Sequence, residues 1–129
     1  PAEVEDLCKQ RMDSEFYEIT KENSDIRNQS IIKRKKVIAV GTSVCRALES
    51  SVITGSYVRP SKGWTDRFIH PPNSMSIVHK LITNLHQPQS TMLMLACTLA
   101  ERDDVMKAYK KAIKENYKFL AYGDAMMIV

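Results

Sequence analysis

The stretch KVIAVGTSVCRALES over residues 36–50 constrains the fold more than any other part of the chain. A short continuous apolar run, residues 36–40, stops on Gly41. A run of that length bounded by glycine reads as a strand covered on both faces, as in a parallel sheet. Beyond it, Val44, Cys45, Leu48 and Val52 recur at helical spacing over residues 44–52. Gly41 makes the turn, and Thr42 and Ser43 offer hydroxyls to cap the helix. A strand that feeds a helix through so tight a turn calls for an architecture of strands crossed by helices.

The remaining segments alternate in the same way. Residues 14–20 (SEFYEIT) are aromatic and β-branched and predict a strand. Residues 22–35 set Ile26, Ile31 and Ile32 among charges and predict a helix. Two glycines and three prolines make residues 55–73 a long loop, broken by a short strand at 67–70. The apolar run 81–83 predicts a strand. Pro88 bars helix through His86 and Gln87, and Ser90-Thr91 cap the apolar helix that follows. Asp103-Asp104 open the clearest helix, with Val105, Met106, Tyr109, Ala112, Ile113 and Tyr117 on its apolar face. A turn at Gly123-Asp124 leads into a last strand within 119–129. The expectation is a single α/β domain over residues 1–129, its sheet mostly parallel with flanking helices.

With 43% apolar and 26% charged residues, a chain of 129 residues can bury a core without disulfides. Cys8, Cys45 and Cys97 are odd in number and scattered, which argues against a disulfide framework and against a metal site and points to a reducing cytoplasm. The longest apolar run, residues 92–100, is too short to span a bilayer, so no membrane is expected as a partner. No basic-then-apolar leader is visible, so no signal peptide is expected, and a start at Pro1 reads as a piece cut from a longer protein. A net charge of +4 decides little by itself.

Four groups of residues are candidates for chemistry. At the Gly41-Thr42 turn, free backbone N–H groups at a helix start suit a phosphate or carboxylate. Arg46 lies close behind, where a cation opposes the helix dipole unless an anion faces it; that anion is either a ligand or Glu49 at i,i+3. Asn84 and His86 follow a strand, at the end of a parallel sheet where ligands bind. His86 there is either a general acid or base, or a loop histidine bonding backbone. Asp124 either orients a base, acts as one, or caps its turn. Lys107, Lys110, Lys111, Lys114 and Lys118 fall on one helical arc, which is either a track for phosphates or a solvated face.

The blocks VIAVGTSVCRALES, LITNLHQPQSTMLML and YKFLAYGDAMMI resemble, in order, three signature blocks of the S-adenosylmethionine:tRNA ribosyltransferase-isomerases. GWTDRFIHPP resembles the family's Phe-Ile-x-Pro stretch, and AEVEDLCKQRMDSEFYEI its Met-His-x-Glu block. The chain departs from the pattern at Met12-Asp13-Ser14-Glu15, which lacks the histidine, at Pro71-Pro72, and at Gly41-Thr42-Ser43-Val44-Cys45-Arg46. The resemblance covers only the C-terminal segment of the family's larger α/β domain; the inserted β-barrel domain has no counterpart.

Such an enzyme transfers and isomerises the ribosyl part of S-adenosylmethionine onto an aminomethyl-deazaguanine in the tRNA anticodon, giving epoxyqueuosine. S-adenosylmethionine is a consumed substrate, and no other cofactor is implied. The resemblance further implies a cytoplasmic protein, monomeric when complete. His86 and Asp124 become acid/base candidates, Asn84 a positioner, and Gly41, Thr42 and Arg46 a seat for the methionine carboxylate. The fragment alone is expected to fold but not to turn over. A non-catalytic RNA-binding module and a generic α/β small-ligand domain are the alternatives.

Overall fold

The computed structural model describes residues 13–87 and 90–129. Cys8, Met12 and Pro88 lie outside the described residues. Among the described residues, seven strands and four α-helices follow in the order β1 (Glu15–Ile19), α1 (Lys21–Ile32), β2 (Ile38–Val40), α2 (Thr42–Ser50), β3 (Val52–Ile53), β4 (Tyr57–Val58), β5 (Ser61–Thr65), β6 (Lys80–Asn84), α3 (Thr91–Leu99), α4 (Arg102–Lys114) and β7 (Ala125–Ile128). A 3-10 turn, Thr54–Ser56, joins β3 to β4.

The strands form three small sheets rather than one mostly parallel sheet. In the central sheet, ordered β2-β6-β7, β2 runs parallel to β6 with Ala39 opposite Leu81, and β7 returns antiparallel with Leu81 opposite Ile128. The β1–β5 and β3–β4 pairs are both antiparallel. The β2–β6 pair is therefore the parallel contact among the described residues.

β2 is also not covered on both faces. Ala39 is 1% exposed, whereas Ile38 is 46% and Val40 64% exposed. The strand lies at the sheet edge, and only the face carrying Ala39 meets the core. That core packs Ala39 and Leu81 between Cys45 of α2 and Leu95 and Ala96 of α3. A second cluster joins Leu93 and Cys97 of α3 to Val105, Tyr109 and Ala112 of α4.

Local chemistry sets the helix ends. Thr20 caps α1 by accepting from the Asn23 amide, and Ser90 caps α3 by accepting from the Leu93 amide, as its sequence predicts. Helix α2 is different: Gly41 is its N-cap, at φ 98° and ψ 145°, and no side chain caps it. That backbone region is essentially reserved for glycine. Thr42 and Ser43 sit inside the helix rather than capping it. Helix α4 stops at Lys114, and Asn116 then takes a positive φ of 60°. Tyr117 and Lys118 thus fall beyond the helix, and Ile113 is 59% exposed rather than buried. The segment 67–70 forms no strand; the pairing falls earlier, where β5 lies along β1 with Trp64 opposite Phe16.

Candidate active site

The carboxyl ends of β2 and β6 open onto a cleft of about 350 Å³, lined by Gly41, Thr42 and Ser43 on one side and Thr83, Asn84 and His86 on the other. The first amides of α2 have no intrahelical partner by geometry, and no side chain caps them. Their partial positive charge is directed at the ligand end of the parallel pair.

Gly41, Thr83, Asn84 and His86 are each held by a hydrogen bond. The Gly41 amide donates to Ile82 O at 2.8 Å, pinning the turn to β6. Asn84 Nδ2 donates to Asp124 O at 3.3 Å. His86 Nε2 pairs with Thr83 Oγ1 at 2.8 Å, and the His86 amide donates to Tyr109 Oη at 2.9 Å. Tyr109 itself is buried and meets Phe119 edge-on at 5.8 Å. Burial lowers the His86 pKa below the ordinary imidazole value. Its ring is therefore neutral at pH 7 and able to accept a proton.

Arg46 does not reach this cleft. It is 1% exposed, and its guanidinium pairs with the Glu15 carboxylate. It also donates to the carbonyls of Arg67, Asp13 and Thr65, each at 3.1 Å. The compensating anion is thus Glu15 rather than Glu49 or a ligand, with each nitrogen of the guanidinium already engaged. Glu49 serves elsewhere: it is 1% exposed and accepts the amides of Ser76, Ile77 and Val78. Glu15 also receives the Ser43 hydroxyl at 3.2 Å, tying β1 to the start of α2. The sequence carried a trace of this role, since Glu15 closes the block Met12-Asp13-Ser14-Glu15.

Asp124 also turns away from the cleft. Its Oδ2 accepts the Lys118 amide at 2.7 Å, and its own amide donates to Lys118 O at 2.8 Å. It closes the turn before β7, which brings Ala125 rather than Asp124 into the wall. Gly123 is required there, because a Cβ would come within 2.4 Å of Lys118 O. Lys107, Lys110, Lys111 and Lys114 are exposed on α4 and Lys118 is exposed beyond it; none forms an ion pair among the described residues. Burial raises the Cys45 thiol to about 12 and also raises Cys97, so neither is poised as a nucleophile. Among the described residues, no three His, Cys, Asp or Glu side chains cluster as a metal site, and no helix is long and apolar enough to cross a membrane.

A sequence model of the family described as "Queuosine biosynthesis protein" matches residues 1–128. The chain belongs to this family. Among curated relatives, the S-adenosylmethionine:tRNA ribosyltransferase-isomerase of Chloroherpeton thalassium is 50% identical, the match covering 98% of this chain and 37% of that protein. The protein of the same name from Flavobacterium psychrophilum is 46% identical over 100% of this chain and 37% of its own length. The chain therefore spans under two-fifths of these relatives. The crystal structure of a Thermotoga maritima S-adenosylmethionine tRNA ribosyltransferase superposes with a TM-score of 0.79 at 37% identity, covering 88% of this chain and 40% of that one. The expected family and α/β class hold; the mostly parallel sheet does not.

Proposed function

We propose that this chain supplies one wall of the active site of a tRNA ribosyltransferase-isomerase of queuosine biosynthesis, with S-adenosylmethionine and the modified anticodon base as its substrates. The observation that carries this is the uncapped start of α2 facing His86 and Asn84 across the cleft at the ends of β2 and β6. The α2 amides suit the carboxylate of the methionine part. The sulfonium acidifies the neighbouring ribose C–H, and the neutral imidazole of His86, held by Thr83, is the group placed to take that proton. Asn84 orients the ribose. Arg46 and Asp124, both engaged elsewhere, position the turn and the strand that shape the cleft. The exposed α4 lysines give the tRNA a sequence-independent contact. Because the relatives are much longer, turnover belongs to the complete protein, which is expected to be cytoplasmic and monomeric.

Titrating the isotopically labelled chain with S-adenosylmethionine tests the reading. The amides of residues 41–44 and those of Asn84 and His86 are expected to shift while those of α4 stay still. The chain alone is expected to release no adenine when precursor tRNA is added. Shifts confined to α4, or none at saturating ligand, would sink the assignment of the cleft.

A further inference from the structure

A second cavity, of about 310 Å³, opens at the other end of β2. Arg27, Arg34, Lys35, Lys36 and His79 line it together with Ser76. Arg27 is 7% exposed and sends Nη2 to Ile77 O at 3.3 Å, while its Nε and Nη1 are buried with no hydrogen-bond partner among the described residues. Buried donors in that state are rare, and each leaves a desolvation cost uncompensated. Glu49, whose charge is felt at Arg27, spends its oxygens on three backbone amides and forms no ion pair with Arg27.

The rest of the cavity points the same way. His79 Nδ1 accepts the Val37 amide at 2.9 Å. In the neutral ring the proton is then on Nε2, which is left as a donor. Arg34 adopts a positive φ of 54°, and the Arg34 and Lys35 amides close the end of α1 on Ile31 O and Ser30 O. This closure satisfies the helix carbonyls and leaves the side chains of Arg34, Lys35 and Lys36 exposed around the cavity mouth. The attraction of cations to a helix end accounts for those three residues but not for Arg27, which lies inside α1.

We propose that this cavity binds a phosphate group of the RNA backbone, with Arg27 as the inner donor and Lys35 and Lys36 at the rim. The choice of RNA rests on the function proposed above. Residues 36 and 41 bracket β2, so the two cavities stand about 16 Å apart along one strand. A nucleotide held in the cleft brings a chain of phosphates with it, and this cavity is a second point on that path.

Two measurements on the intact chain test the site. Inorganic phosphate is expected to shift the Arg27 Nε–H resonance saturably, where chloride at equal ionic strength does not. Unmodified tRNA is expected to bind the K35Q/K36Q variant about tenfold more weakly, with the salt dependence flattened by one to two units of slope. Both substituted lysines are exposed, so the variant keeps its fold; R27Q is the sharper change and is read only if its melting curve stays cooperative. An Arg27 resonance indifferent to phosphate would overturn the site. A tRNA affinity and salt slope unchanged in K35Q/K36Q would overturn its assignment to RNA. Neither result touches the S-adenosylmethionine shifts at the cleft, so failure here and failure of the proposed function are separable.

Discussion

Arg46 is held by the Glu15 carboxylate and by the carbonyls of Asp13, Thr65 and Arg67. Replacing the guanidinium by the shorter, neutral Gln amide leaves most of the three carbonyl oxygens without a donor and the half-covered Glu15 carboxylate with the Ser43 hydroxyl in place of a cation. Leaving part-buried acceptors unsatisfied in this way costs about 1–3 kcal/mol each, about 3 kcal/mol together. For a chain of this size that corresponds to a melting temperature roughly 10 °C lower. Arg46→Gln is therefore expected to melt early, and calorimetry reads the effect directly; a melting temperature within two degrees of the parent would refute the structural role. The sequence announced that a cation so near a helix start needs an anion. It could not name the anion, because Glu15 lies 31 residues away and reaches Arg46 only through the β1–β5 pairing. Local spacing pointed instead to Glu49, whose carboxylate the fold uses to hold the segment before β6.

At the scale of elements, the segments with strong local signals were legible: the apolar run of β2, the Ser90 cap of α3 and the amphipathic α4. Strand β5 was not, because Ser61-Lys62-Gly63-Trp64-Thr65 has little strand character and becomes a strand only by pairing with β1. The lining of the cleft was legible in Gly41, Thr42, Asn84 and His86, which lie at or just beyond the carboxyl ends of β2 and β6. The tie from α4 to the cleft was not, since Tyr109 reads as an ordinary core residue until its hydroxyl meets the His86 amide.

This tie has a pH signature. Burial lowers the folded-state pKa of His86, and burial together with Lys36 and Arg27 lowers that of His79. Above about pH 6.5 both histidines are neutral whether folded or unfolded, and stability is full. Below it the unfolded chain takes up protons that the folded chain refuses, so stability drains away as pH falls through the folded values. The melting temperature is expected to drop between about pH 7.5 and about pH 5.5, and to drop less in His86→Gln. Equal declines in parent and variant would show that His86 carries none of the effect.

The described residues form three small sheets braced by four helices, and the central sheet ends on β2 at one edge. Beyond β2 no strand follows among the described residues, so one edge of the ladder is open. The Gly41 amide faces inward to Ile82 O, and strand alternation turns the Ala39 amide the same way and those of Ile38 and Val40 outward. The strand therefore keeps two clocks. In deuterated buffer the amides of the inward-facing positions, Ala39 and Gly41, are expected to exchange slowly with the core, while Ile38 and Val40 exchange within the dead time of a manual experiment; four equally slow amides would mean that something already occupies that edge.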